Sequence, residues 1–231
     1  MRGRRNGLEC HGDNLMKRRS LFVLLLFCVA TTSGCVTGRR SITLEIPPAS
    51  TVASSSRGSL EVVSVTDNRV FENKPTSPSV PSIDGDVTKV SKDTLKTMIG
   101  RQRNGYGKAM GDIELASGET VETQTRRLIS DGFSRHGYTV VDSHSADVTV
   151  QVSIDKFWAW FSPGFWAVSF ESQVGTEMTI MRGSKSEKLT VTGYGKNSGQ
   201  VAKDANWQLA YARAFEDFLK NFDTALAHAG L

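Results

Sequence analysis

An alternation of apolar and polar residues constrains the fold of this chain more than any other feature. Within residues 148–155, valine or isoleucine occupies every even position and a polar residue every odd one. A period of two is typical of a half-buried β-strand. The same parity continues through Trp158 and Trp160, and it resumes after the turn at residues 162–164 as far as Ile180. The pattern predicts a long hairpin whose even-numbered side chains point into the core.

The rest of the pattern predicts an α+β domain over residues 59–227. Five further elements are expected, which are strands at 60–66, 138–141 and 189–194 and amphipathic helices at 120–136 and 203–227. Strands linked by hairpins favour antiparallel pairing, so we expect two layers. One layer is an antiparallel sheet of about four to five strands, and two main helices pack on one face of it. Residues 72–117 are predicted as a loop-rich insertion, since prolines and glycines interrupt them.

The N-terminal residues have the organisation of an export signal. Residues 16–34 contain a basic stretch, an apolar run from Leu21 to Ala30 and small residues before Cys35. The apolar run is too short for a membrane-spanning helix, which needs about 20 residues. We interpret residues 1–15 as an upstream extension that precedes the true start at Met16.

The residues before Cys35 resemble the bacterial lipobox, in which the cysteine is acylated and becomes the first mature residue. Thr32 stands where the lipobox usually has leucine, so ordinary cleavage at a nearby small residue is the alternative. Acylation with more than one chain gives lasting membrane attachment. Val36 follows the cysteine, and by this resemblance it favours the outer membrane, with the domain facing the periplasm. Residues 35–58 are predicted to be the lipidated cysteine and a flexible tether.

Charge and cysteine content exclude several classes of function. Six basic and two acidic residues precede Cys35, which leaves 22 of each sign from Cys35 onward. The mature chain is therefore neutral, and nothing in its charge predicts a nucleic-acid partner. Cys10 and Cys28 lie in the part that is removed, so no disulfide framework, thiol nucleophile or zinc-thiolate site is expected. The only cofactor-like group expected is the covalent lipid on Cys35.

The chain resembles the YajG-like family of bacterial lipoproteins. The resemblance covers about residues 60–222 and is carried by the lipobox, a first strand that ends in Asp67-Asn-Arg69, a helix that ends near Tyr138 and a C-terminal amphipathic helix. The resemblance implies an accessory protein of the cell envelope without enzymatic activity. The long insertion departs from the family pattern.

The most unusual segment is the aromatic hairpin tip, residues 156–170, because aromatic residues occupy both of its faces. If the odd face is exposed, the tip binds a partner protein, a membrane interface or an apolar ligand. Alternatively, the insertion folds over it. The candidate binding residues are Phe157, Trp158, Trp160, Phe161, Phe165 and Trp166.

Other polar residues favour structural roles. Asp67 and Arg69 are predicted to have a structural role, either as an ion pair or through hydrogen bonds to the loop after the first strand. Asp142, His144 and Asp147 are of metal-binding types, but turn chemistry is the favoured explanation for them, and we predict no catalytic or metal site. The leading hypothesis is a non-enzymatic lipoprotein that binds another envelope protein. A periplasmic carrier of a lipid or small apolar ligand is the alternative, and a metal enzyme or hydrolase that uses His144 is a third.

Overall fold

The computed structural model describes residues 38–48, 55–104, 108–116, 118–143, 145–164, 168–199 and 203–231. The predicted signal segment, the extension before it and Cys35 lie outside the described residues. Among the described helices, none has both the length and the apolar character needed to cross a membrane.

Within these residues, the chain forms one mixed sheet of eight strands, together with three α-helices and a short 3-10 helix. The strands are β1 (Arg40–Ile42), β2 (Gly58–Asp67), β3 (Met98–Arg103), β4 (Ala109–Leu115), β5 (Tyr138–Val140), β6 (Val148–Pro163), β7 (Val168–Arg182) and β8 (Lys185–Gly199). The helices are the 3-10 helix (Val87–Lys89), α1 (Lys92–Thr97), α2 (Val121–Arg135) and α3 (Asp204–Ala229).

Strand β6 organises the sheet. One of its edges pairs antiparallel with β7, which pairs antiparallel with β8. Its other edge pairs in parallel with β2 along its first half and with β3 at Ala159 and Trp160. Strand β5 continues the sheet in parallel beyond β2. Beyond β3 come β4, which is antiparallel to β3, and then β1, which is parallel to β4.

The predicted antiparallel sheet of four to five strands with two helices is therefore wrong. The chain leaves β2, passes through α2 and returns in the same direction, and a crossover that contains a helix permits such parallel pairing. Strands β3 and β4 form inside the predicted insertion at 72–117, where arginine and glycine residues hide the strand signal.

The two predicted main helices are confirmed, and both pack against the sheet. Helix α2 begins with a capping box between Thr120 and Thr123. Helix α3 buries the apolar stripe that the sequence predicts, from Trp207 to Leu226. It lies very close to β8, because a Cβ atom at Gly193 or Gly195 would collide with the backbone of α3.

A β-bulge in β6 changes which side chains face the helices. The register with β7 shifts between Ile154 and Lys156, and a bulge of this kind inserts one extra residue. Ile154 faces the main core before the bulge, whereas Phe157 and Ala159 face it afterwards. The predicted inward parity is therefore wrong at Trp158 and Trp160. In β7 the even-numbered residues from Phe170 to Ile180 are buried as predicted.

The domain also includes residues that the sequence assigned to the tether. Within residues 38–48, β1 pairs with β4, and Ile42 and Leu44 are buried in the main core. Their alternation with polar residues is a short strand signal. The domain therefore begins before residue 59.

Candidate functional site

The odd face of the aromatic hairpin tip packs against helix α3. Phe157 is fully buried and stacks on Tyr211 with ring centroids 5.2 Å apart. Phe161 is partly buried and makes an edge contact with Phe170 at 5.6 Å. Neither side chain forms the exposed aromatic surface that the sequence pattern left open.

The even face of the tip is covered by residues 71–97, which we call the cover segment. Trp158 and Trp160 are buried in a second apolar cluster with Ile83 and Met98. Phe71 contacts Trp158 edge-on at 5.8 Å, and the indole N–H of Trp158 donates to the carbonyl oxygen of Pro78 at 3.2 Å. The insertion therefore folds over the even face of the tip, whereas the odd face, which the alternative expected it to cover, packs against α3 instead. Phe165 and Trp166 lie outside the described residues.

Arg69 fixes the cover segment to the sheet. Its side chain is fully buried, and its Nε and one terminal nitrogen donate to the carboxylate of Asp67, each at 2.8 Å. The remaining donors reach three backbone carbonyls, those of Leu95, Met98 and Phe157, at 2.7 to 2.8 Å. All five guanidinium N–H groups are thereby used. The predicted Asp67–Arg69 ion pair is present, and it joins the end of β2 to the cover segment and to β6.

A pocket of about 770 Å³ opens between the cover segment and strands β3 and β4. This volume falls in the range of small-molecule and peptide-binding clefts. Residues from two parts of the cover segment and from the β3–β4 hairpin line it, namely Asn73, Lys74, Pro75, Ile83, Asp84, Gly85, Asp86, Arg101, Arg103, Lys108 and Ala109. Four of these side chains are cationic and two are acidic.

Arg101 is held at the floor of the pocket by an ion-pair network. Its guanidinium donates to the carbonyl oxygen of Ile83 and, at 3.2 Å, to a carboxylate oxygen of Asp84. Its Nε lies 3.5 Å from Oδ1 of Asp112. Neither of these two atoms has a hydrogen-bond partner among the described residues. Burial raises the pKa of the Asp112 carboxyl, although the Asp84 N–H group and the Arg101 charge oppose the shift.

Arg103 lies beside Arg101 and contacts neutral acceptors. It donates to the carbonyl oxygen of Pro75 at 2.9 Å and to the hydroxyl of Ser82 at 3.0 Å. Burial lowers the pKa of Arg103, and the neighbouring Arg101 charge lowers it further. The pocket therefore concentrates positive charge that nearby carboxylates offset only in part.

The other polar candidates have structural contacts. Asp147 accepts hydrogen bonds from the N–H and hydroxyl of Ser59 at 2.8 and 2.7 Å, and these bonds lower its pKa. Asp142 is exposed, and His144 lies outside the described residues. Across the part of the chain that the structure describes, no group of three or more potential ligand residues could hold a metal ion.

Sequence reasoning missed the pocket. Arg101 and Arg103 are two residues apart, so their side chains lie on the same face of one strand. This spacing of positive charges was the available signal for the pocket. It was obscured because the glycines around them favour a loop.

No family model and no curated protein matches the sequence. Among solved structures, the chain is similar to protein XCC0632 from Xanthomonas campestris, of family DUF330, with 12% identity and a TM-score of 0.43. That match covers 83% of this chain and 96% of the other. A crystal structure of an uncharacterized protein matches with 8% identity, a TM-score of 0.37 and coverage of 84% and 98%. At TM-scores below 0.5, neither likeness bears on the function of this chain.

Proposed function

We propose that this chain is an outer-membrane lipoprotein of the YajG-like kind, anchored through Cys35 and facing the periplasm, that binds another envelope protein without catalysing a reaction. The order of basic, apolar and small residues before Cys35 supports the anchor. The pocket between the cover segment and the β3–β4 hairpin supports the binding role, and it is the observation that carries the proposal.

The pocket replaces the aromatic tip as the contact surface. The four described candidate binding residues of the tip are buried or partly buried, so their area is already used inside the domain. The pocket instead offers charged side chains at an open cleft, and such groups orient a partner and discriminate among partners.

The carrier alternative requires an apolar cavity beneath Phe157 or Trp158. Both side chains are packed against other aromatic rings, and the pocket that does open has Arg101 and Arg103 on its wall. Charged groups on the wall of a pocket are unfavourable for a ligand that is apolar throughout, because burying them costs free energy. The protein-binding role is therefore the better supported of the two.

Two experiments in a Gram-negative host test the proposal. Radiolabelled palmitate should label the protein, and the label and its outer-membrane recovery should vanish in Cys35→Ala. A photo-crosslinking residue at Ala109, on the pocket wall, should capture a defined envelope protein, whereas one at Lys185, the first residue of β8, should not. A soluble, unlabelled product from the natural sequence would refute the anchor. Equal crosslinking from both positions would refute the pocket as the contact.

A further inference from the structure

The pocket holds more positive charge than its own carboxylates offset. Lys74, Arg101, Arg103 and Lys108 line it together with only two acidic residues. Both acids are already engaged, since Asp84 pairs with Arg101, and the Asp86 carboxylate accepts from the N–H and hydroxyl of Thr88. Among the described residues, neither Lys74 nor Lys108 has a carboxylate within ion-pair distance. An anion that entered the pocket would meet unpaired cations.

Arg103 is the main contributor to this excess of positive charge. A guanidinium has five N–H donors, and the two described acceptors of Arg103 are a carbonyl and a hydroxyl, neither of which carries charge. Arg101 next to it adds like charge. A bound anion stabilises a partly buried guanidinium that lies beside a second, buried one, and arginine binds carboxylates through paired hydrogen bonds.

Asp84 shows which kind of anion the pocket accepts. Its carboxylate lies 3.2 Å from the Arg101 guanidinium, while 86% of its side chain remains exposed. It belongs to a loop at the pocket wall, so here a carboxylate carried on a polypeptide reaches one of the two arginines from the solvent side. A partner's acidic side chain can approach Arg103 in the same manner. Pro75, Ile83 and Ala109 add apolar wall for the chain that carries it.

We infer that the pocket recognises an acidic peptide segment of the partner protein, with a carboxylate seated on Arg103 between Lys74 and Lys108. This inference rests on the proposed function and specifies its contact. Arg103 supplies the directed hydrogen bonds, and the two lysines attract the acidic segment at longer range.

The test uses the full-length protein, expressed in a Gram-negative host and purified in nonionic detergent, and a fluorescent hexaglutamate peptide. Fluorescence anisotropy should show saturable binding that weakens as salt is added. Because a hydrogen bond to a charged group is lost, Arg103→Gln should weaken binding by about tenfold or more. The double variant Lys74→Gln/Lys108→Gln should weaken it as well. Lys185→Gln removes one exposed lysine distant in sequence from the pocket and should leave binding unchanged.

Three outcomes would overturn the inference. Peptide binding that is equal in the natural protein and in the pocket variants would place the acidic segment elsewhere. If the peptide does not bind at all, the inferred recognition of an acidic segment is refuted directly. Inorganic phosphate or glycerophosphate that binds with the same variant dependence, where the peptide does not, would make the pocket a phosphate site. Because both lysines are exposed, the double variant keeps the test valid if Arg103→Gln fails to fold, as circular dichroism would show.

The crosslinking experiment separates this inference from the proposed function. Suppose that a crosslinker at Ala109 still captures an envelope protein in the Lys74→Gln/Lys108→Gln variant. That result would support the pocket as the contact surface but refute the claim that it recognises an acidic segment. Absence of capture from Ala109, together with hexaglutamate binding that depends on Arg103, would refute the proposed contact while the pocket still binds carboxylates.

Discussion

Replacing Arg69 by methionine should destabilise the domain severely, because it removes all five guanidinium hydrogen bonds of a buried polar site at once. The change leaves the Asp67 carboxylate, 6% exposed, without its counter-charge and with only the backbone N–H of residue 69 as a donor from that residue. It also leaves the carbonyls of Leu95, Met98 and Phe157 without this donor. Removing one partner of a buried ion pair typically costs about 3–5 kcal/mol. A domain is stable by only about 5–15 kcal/mol, so we expect most of the stability to be lost.

Urea unfolding, followed by circular dichroism and tryptophan fluorescence, measures the effect. Trp158 and Trp207 are both buried and report on the second cluster and on the main core. The matched control is Arg127→Met, which also removes an arginine paired with a carboxylate, that of Glu119. The Arg127 side chain is 52% exposed, however, and exposed pairs contribute about 1 kcal/mol or less.

A double-mutant cycle tests the reasoning itself. Asp67→Asn removes the buried charge, so Arg69→Met should cost less in that background than in the natural sequence. A loss below about 1 kcal/mol for Arg69→Met, or strict additivity with Asp67→Asn, would show that Arg69 does not hold the cover segment through this ion pair.

Three further predictions concern packing and pH. Gly195→Ala should destabilise by at least about 1–3 kcal/mol in urea unfolding, since the new methyl group would collide with the carbonyl of Ala210; an unchanged midpoint would contradict the close packing. Trp158→Ala should cost about 3–5 kcal/mol and speed hydrogen exchange in the cover segment, and a cover segment that exchanges as slowly as before would contradict its anchoring role. Burial raises the pKa of Asp112 in the folded state, so the folded protein binds this proton more tightly than the unfolded chain does. The free energy of unfolding of the natural protein, relative to Asp112→Asn, should therefore fall as pH rises from about 4 through the raised pKa, and a difference that is flat or rises with pH would contradict this reasoning.

The sequence predicts those elements whose apolar pattern repeats several times. Helix α3 was predicted at 203–227 and spans Asp204–Ala229, with the same buried stripe, because its apolar residues repeat at helical spacing over six turns. Helix α2 was likewise predicted within one residue at each end, since Thr120 is a good cap.

Strand pairing is much less visible in the sequence. The parallel partnership of β2 with β6 depends on where the chain returns after α2, and no single residue encodes that path. Strand β3 contains Gly100, Arg101 and Arg103 and lacks the alternating apolar residues of β6. Its strand character comes from the neighbours β4 and β6 rather than from local preference.

The bulge in β6 explains why a pocket forms beside β3 and β4, which the sequence pattern did not predict. The one-residue shift after Ile154 gives Phe157 to the helix side and turns Trp158 and Trp160 to the opposite face. Two large indole rings on that face need cover, which residues 71–97 provide. Because the cover segment then lies over the strand face that carries Arg101 and Arg103, a cleft remains where it leaves β3 and β4. An acidic partner segment that binds this cleft would contact the cover segment directly, so binding of hexaglutamate should slow amide hydrogen exchange at residues 73–74 and 83–86 more than in the β7–β8 turn. Equal protection in both regions would show that hexaglutamate does not bind at the pocket.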